Sequence, residues 1–426
     1  MNIISERLLE ADEQRGIVNY ARVYLNPTGL ECKMTRRVAR ESDYVNGVEF
    51  CTSTDNGKTY TEWQPLEKSA YTEYFGEDER IGEETVRVWN PVHNHYVYTW
   101  WSRYFLEGHK KSYEQLWKHG KNTFFDHQYI AISDSGSGNM ISKKLVKYED
   151  GVDFDPQNPR NPEFLYKNRG YLNAPIVLKN GDIAVPVGVP VPTACRIAGL
   201  DVEKVFPSCP TLHRGVIVAR GKYNEETKEY DFTFSNPIII DDLRSSRCID
   251  EPILAELESG RILLIMRGSN VRSAAWNTRI EVGTPTYKWY AYSDDGGKVF
   301  TAAEPWKFDS DEPVYSAATI SILMRSTKNG KLYWIGNISD EKAYGNFPRF
   351  PLYICEVDDT TALLKKDSLT VIDTRREGET SKLQLSNFSM LEDRETGNFE
   401  LYLAKLGQFD EERPFYGESW KYTIEL

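Results

Sequence analysis

Two short acidic turns are the first places where the chain could arrange chemistry: "STDNGKTY" at residues 53–60 and "SDDGGKVF" at residues 293–300. Each sets Ser-x-Asp-x-Gly ahead of an aromatic residue. Either the carboxylate serves a ligand, or it accepts backbone N–H groups of its own turn while glycine supplies a positive φ. A metal would need more than these turns offer. His93 and His95 form an HxH pair whose rings share one strand face, but no third ligand stands near. Cys32, Cys51, Cys195, Cys209, Cys248 and Cys355 are scattered without a CxxC pair, which reads as buried free thiols in a reducing compartment. No metal and no cofactor is expected.

The elements that must position these residues come from a repeat. "NAPIVLKNGDIAVPV", "DEPILAELESGRILLIMR", "AATISILMRSTKNGKLYWIGN" and "LSNFSMLEDRETGNFELYL" each read as an apolar strand, a polar turn with glycine, and a second apolar strand. Their turn glycines are Gly181, Gly260, Gly330 and Gly397. Extrapolation towards the N-terminus finds two more hairpins, turning at Gly29 and near Asn94. Six hairpins about 70 residues apart, with strands dominating, indicate radial repetition. The expected fold is all-β: one six-bladed β-propeller over residues 1–426, with four antiparallel strands per blade. Gly57 and Gly297 then fall between third and fourth strands, which makes the two acidic turns architecture. "ISDSGSG" at 132–138 is a worn third copy, and "EGHKKSYEQLWKHGKN" is a helix-like insertion carrying Tyr113, Leu116 and Trp117 on one face. "YEDGVDFDPQNPRNPEF" reads as a loop between blades.

Composition limits the partners. A net charge of −12 and a pI near 5.2 repel nucleic acid and anionic membrane surfaces. No run approaches the roughly 18 apolar residues of a membrane span, and "MNIISERLLEADEQRG" lacks the apolar core of a secretory signal. The expectation is a cytoplasmic chain, or a secreted or periplasmic one whose leader has been trimmed. The sequence sets no oligomeric state.

The Ser-x-Asp-x-Gly-x-Thr-aromatic pattern resembles the Asp-box, or BNR repeat, of the sialidase (neuraminidase) superfamily. "DEPILAELESGRILLIMRG" at 250–268 resembles that superfamily more specifically: Glu251, Glu256-Leu257, Gly260 and Arg267 follow its glutamate, "EL", glycine turn and arginine in order. The resemblance implies a glycosidase, an exo-acting hydrolase of terminal acidic sugars such as sialic acid, with a glycan as partner. It implies three arginines on the substrate carboxylate, because a planar fork of donors bonds a carboxylate bidentately. Arg22, Arg267 and Arg349 stand at those places, although the Ile-Pro that should follow Arg22 is absent. The catalytic set implied is a tyrosine nucleophile activated by a glutamate, here Glu251, and an acid/base aspartate, Asp43 with Glu41 as rival.

The chain departs from the family at the nucleophile. Leu385 fills the tyrosine place in "QLSNFSMLEDRETGN", with Ser386 and Asn387 as hydrogen-bond donors beside it. Tyr315 in "EPVYSAATIS" carries the same Tyr-Ser pair and is the displaced candidate. The alternatives are water activated by Glu251 or Asp43, or a different acidic sugar. A propeller hydrolase or lyase of uronic acid or rhamnose-containing glycans, with His127 and His213 contributing, and a non-catalytic carbohydrate-binding propeller both remain open. Trp89, Trp100, Trp101 and Trp276 either line a subsite or pack between blades.

Overall fold

The computed structural model describes residues 1–42, 45–66, 71–108, 124–135, 138–171, 173–207, 213–272, 278–339 and 343–426. Asp43, Cys209, Trp276 and most of the insertion with Tyr113, Leu116 and Trp117 lie outside the described residues, as do two residues of the "ISDSGSG" turn. The chain is all-β, with six antiparallel sheets, the blades of a six-bladed propeller. They group into two compact units. The first comprises Met1–Ser69, Pro285–Lys288 and Pro305–Leu426, and the second Ala70–Thr284 and Trp289–Glu304.

In the first unit, β1 (Asn2–Leu9) is the outer strand of a sheet whose other members come from the far end of the chain. The next sheet is β2 (Ile17–Tyr24), β3 (Cys32–Ala39), β4 (Gly47–Ser53) and β5 (Gln64–Pro65), in that order. In the second unit, β6 (Tyr71–Phe75), β7 (Asp78–Glu84), β8 (Val88–Asn90), β9 (His95–Phe105), β10 (Phe124–Asp134) and β11 (Met140–Leu145) make an enlarged blade. It is followed by β12 (Ile176–Val177), β13 (Ile183–Pro190), β14 (Arg214–Asn224) and β15 (Glu229–Phe234). The fourth blade is β16 (Asp250–Glu256), β17 (Ile262–Arg267), β18 (Lys288–Ser293) and β19 (Glu304–Pro305). It falls in the second unit but for residues 288 and 305. The first unit is completed by β20 (Ser321–Arg325), β21 (Leu332–Asn337), β22 (Leu352–Val357) and β23 (Thr370–Asp373), and by β24 (Gln384–Glu392), β25 (Phe399–Leu406) and β26 (Ser419–Glu425), on which β1 pairs.

All six hairpins form where the repeat places them. Gly181, Gly260, Gly330 and Gly397 take positive φ, and in the glycine-free turn Asn94 does the same at φ 54°. Asparagine tolerates that region because its short polar side chain can bond locally. The sequence repeat did not anticipate the closure: β1 pairs antiparallel with β26, from Asn2 opposite Glu425 to Leu9 opposite Ser419. The N-terminal strand thus covers what would otherwise be a free edge of the last blade.

Alternation decides the packing. On β13 and β14 both faces are apolar, and Ile183, Val185, Val187, Ile217 and Ala219 join Val97, Ile130 and Ile132 of the enlarged blade in one core. In the first unit Ile335, Leu352, Ile354, Leu385, Phe399 and Leu401 form the counterpart. Full burial of each such aliphatic side chain contributes roughly 1.5–3 kcal/mol.

The acidic turns close on themselves. Ser53 Oγ donates to Asp55 Oδ1 at 2.7 Å and accepts from the Gly57 N–H at 2.8 Å, while the Thr59 N–H donates to Asp55 Oδ1 at 2.9 Å. The second turn repeats this: Ser293 Oγ bonds Asp295 at 2.7 Å, and the N–H groups of Lys298 and Val299 each reach Asp295 Oδ1 at 3.0 Å. These bonds hold the Asp55 and Asp295 carboxyls below the usual range, with the donors of Thr59 and Val299 foremost. Both turns join third and fourth strands, β4 to β5 and β18 to β19, so they are architectural.

Candidate functional site

Within the second unit, consecutive blades bring their charged residues into one chain of ion pairs. It begins where Arg103 of β9 stands directly opposite Asp126 of β10. Both strands are otherwise dominated by aromatic and apolar residues and are almost wholly buried, so neither charge could stay without the other. Arg103 donates through Nε to Asp126 Oδ1 at 2.6 Å and through Nη2 to Oδ2 at 2.9 Å, a bidentate pair. Arg214, first residue of β14, adds a third bond to Asp126 Oδ2 at 3.0 Å. Burial pushes the Asp126 carboxyl up, but Arg103, then Arg214 and Arg169, outweigh it and hold it below the usual range.

The chain continues into the fourth blade. Arg214 Nη1 lies 3.9 Å from Asp250 Oδ1, Arg267 Nη2 donates to Asp250 Oδ2 at 3.4 Å, and Arg267 Nη1 donates to Glu251 Oε1 at 2.8 Å. Asp250 opens β16 and is registered against Arg267, which ends β17. The register then slips between Asp250 and Ile253. Glu251 sits in that irregularity at φ 46°, with its N–H bonded to Asp250 Oδ1 at 2.9 Å. A non-glycine residue in the left-handed region is strained, and such strain concentrates at functional positions.

Solvent exposure grades along the chain. The Asp126 side chain is 3% exposed, whereas Asp250 and Glu251 are 25% and 28% exposed, so the open end is the Asp250–Glu251–Arg267 end. Two further arginines act here. Arg247 lowers the Asp250 carboxyl along with Arg267 and Arg214, against the effect of burial, and Arg169 lies close enough to Asp126 to act on it. Among the described residues, Arg103, Arg169, Arg214, Arg247 and Arg267 thus act on Asp126, Asp250 and Glu251.

Aromatic rings floor the cluster. The Arg214 guanidinium lies 3.8 Å from the Tyr171 ring centre, Arg103 lies 4.9 Å from that of Trp101, and Trp101 meets Tyr171 edge-on at 6.4 Å. Trp101 is opposite Gln128, and alternation puts this pair on the Arg103–Asp126 face. The Gln128 amide oxygen and nitrogen and the Trp101 Nε1 are buried without a hydrogen-bond partner, although buried polar atoms are normally paired.

The histidines take no part as charged groups. Burial pushes His127 down to about 4 and His213 down to about 3. His127 stacks on Phe164 at 3.9 Å, and its Nε2 lies 2.8 Å from the Phe164 carbonyl oxygen. The HxH pair is likewise packed. His93 and His95 stack at 5.9 Å, and His95 Nε2 is 2.8 Å from the Tyr230 hydroxyl. Among the described residues no group of three His, Cys, Asp or Glu could hold a metal.

Of the residues singled out in the sequence, the structure brings Glu251 and Arg267 together. Arg22, Tyr315 and Arg349 belong to the first unit. Arg22 is buried: its Nη1 donates to Glu400 at 2.7 Å, and its Nη2 donates to the Asn56 carbonyl at 2.8 Å and to Asn56 Oδ1 at 2.6 Å. It thereby braces the first acidic turn. Arg349 donates to Gln384 Oε1 at 2.7 Å, to Ser386 Oγ at 3.3 Å and to the Ala318 carbonyl at 2.9 Å. Tyr315 is half-buried and stacks on Tyr287 at 5.4 Å. Leu385 is fully buried in the core, and Glu41 is exposed. Trp89 packs on Tyr96, and Trp100 on Tyr129.

Sequence reasoning missed Arg103, Asp126, Tyr171, Arg214, Arg247 and Asp250. A charge inside an aromatic strand, as in "YTWWSRYF" and "FFDHQYIAIS", was the available signal.

No family model matches the chain, and no curated protein matches it. Solved structures do. A protein of unknown function from Dyadobacter fermentans superposes with a TM-score of 0.54 at 14% identity, covering 99% of both chains. The intramolecular trans-sialidase of Ruminococcus gnavus superposes with a TM-score of 0.50 at 9% identity, covering 99% of this chain and 98% of that one. Trypanosoma rangeli sialidase gives 0.48 at 12% identity, with 98% of this chain matching 59% of that longer protein. At such identities the likeness is one of fold: this chain shares the propeller architecture of the first two.

Proposed function

We propose that the chain is a glycoside hydrolase acting from the end of a glycan on a terminal acidic sugar, with sialic acid the first candidate. The observation that carries this is the arginine-rich cluster of the second unit, whose exposed end holds Arg267, with Arg247 acting on Asp250 beside it. A sugar carboxylate arriving there meets guanidinium forks of the kind that bond carboxylates bidentately, in exchange for Asp250 or Glu251.

Glu251 is the proton-transfer group. It is partly exposed, oriented by Arg267, and held in a strained backbone position that only the surrounding strand ends maintain. In this reading Glu251 takes a proton from a water whose oxygen bonds the anomeric carbon, the glycosidic C–O bond breaks, and the departing oxygen takes a proton from solvent, so no residue of the first unit is required. The resemblance of 250–268 to the sialidase glutamate and arginine elements supports the same assignment.

The test is release of a fluorescent aglycone from α-sialosides, uronides and neutral glycosides, each run with wild type, Glu251→Gln and Arg267→Ala. Turnover of an acidic glycoside that falls in both variants supports the proposal. Turnover confined to neutral glycosides, or untouched in Glu251→Gln, rejects it. Turnover of uronides that leaves an unsaturated product would replace hydrolysis by elimination.

A further inference from the structure

A second charged region of the same unit lies on the outer strands of the enlarged blade. A cavity of about 510 Å³ opens between Arg80, Lys143, Lys144 and Lys147, with Asp153 and Glu229 also on its wall. Arg80 is unusual for a cavity-lining cation. Its side chain is 7% exposed, and its Nε is buried without a hydrogen-bond partner. Its carboxylate neighbour, Glu73, stands at 3.5 Å from Nη1, and Nη2 donates to the Tyr129 hydroxyl at 3.2 Å.

Lys143 carries its ammonium 3.9 Å from the Trp100 ring centre, and among the described residues it has no carboxylate partner. Lys144 and Lys147, by contrast, are paired with Glu229 and Asp153 at 3.2 Å and 2.7 Å. Burial and then Arg80 push the Lys143 amine below its ordinary value, and Glu73 opposes them only in part. Phe154 lies flat against Arg80, with its ring centre 4.0 Å from the guanidinium carbon. Lys147 also lines an adjoining cavity of about 660 Å³ that reaches Lys167 and Arg196.

We propose that this groove binds an anionic oligosaccharide, with Arg80 and Lys143 receiving a ring-borne carboxylate or sulfate and Tyr129 and Phe154 walling the sugar ring. The extent of the basic lining fits several sugar units rather than a single ion. The two wall carboxylates favour a glycan over nucleic acid, because each sugar unit brings several hydroxyl donors for them to accept from, whereas a DNA backbone brings none. The site shares no residue with the Glu251 cluster, so it stands or falls apart from the proposed activity.

The test is calorimetric titration of the full chain with a polyuronate hexasaccharide, a sulfated hexasaccharide, sodium sulfate and a single-stranded DNA hexamer. Wild type, Lys143→Ala and Arg267→Ala are compared. The expected result is binding of at least one hexasaccharide, weakening with added salt, about tenfold weaker in Lys143→Ala and unchanged in Arg267→Ala; the tighter of the two identifies the anion. Lys143 lies on the outer strand β11 with an exposed side chain, and a circular-dichroism spectrum matching wild type checks that Lys143→Ala is folded. Absence of hexasaccharide binding, equal affinity in Lys143→Ala, sulfate binding as tight as the hexasaccharides, or tighter binding of the DNA would each overturn the inference.

Discussion

Arg267 donates to Glu251 at 2.8 Å while the Glu251 backbone stands at φ 46°, so the residue proposed to move a proton is also one of the strained residues of its blade. Strain and chemistry can be separated by substitution. Glu251→Ala and Glu251→Gly both lose the carboxylate, but only alanine retains the left-handed penalty. Glycine at 251 is expected to be more stable than alanine by about 1 kcal/mol. Chemical denaturation of the two variants measures this, and equal stability would mean that the strand end relaxes.

Glu251→Gln keeps the shape and the hydrogen bond to Arg267 but cannot accept a proton. Turnover of a substrate identified in the glycoside panel is expected to fall about 10²–10⁴-fold with KM nearly unchanged. Steady-state kinetics with wild type and variant check it; a rise in KM at constant kcat would make Glu251 a binding residue.

Arg22 gives the opposite pattern. Its guanidinium is sealed against Glu400 and the Asn56 turn, and its removal leaves Glu400 with Lys421 and the Tyr402 hydroxyl but without its buried cation. Arg22→Ala is expected to cost about 3 kcal/mol of stability. Thermal unfolding tests this, and an unchanged midpoint would return Arg22 to the pool of substrate ligands.

Asp126 sets a pH dependence. Its folded carboxyl is held below the unfolded value by Arg103, Arg214 and Arg169 acting against burial, so its contribution is present above the unfolded pKa of about 4 and is lost as pH falls through the lower folded value. Asp126→Asn should be less stable than wild type at pH 7, and the gap should shrink as the pH falls below about 4. Urea midpoints across that range decide it; a constant gap would mean that Asp126 is not ionised in the folded chain.

Removal of residues 1–9 should leave β26 as an unpaired edge. The shortened chain is expected to unfold at lower temperature and to self-associate, as read by calorimetry and light scattering.

How much of this was legible in the sequence differs between fold and site. Hairpin glycines and alternating apolar runs are local signals, so six blades and the position of both acidic turns could be read directly. The pairing of β1 with β26 could not, because it joins residues more than 400 apart and neither strand announces its partner. At the site, Glu251 and Arg267 were visible since both sit on one hairpin. Arg103, Asp126 and Arg214 come from three strands, and their meeting is set by register across β9, β10 and β14. Arg22 shows the converse error. The sialidase resemblance implied a ligand there, whereas in the structure Arg22 is buried against Glu400 and braces the Asn56 turn.

The central claim is that the arginine-rich cluster of the second unit receives a sugar carboxylate. Titration of the protein with free sialic acid and with its methyl ester, monitored by saturation-transfer NMR in wild type and in Arg267→Ala, tests that most directly. The account predicts that the acid binds wild type at least about tenfold more tightly than the ester, and that Arg267→Ala removes the difference. Equal binding of acid and ester to wild type would contradict it.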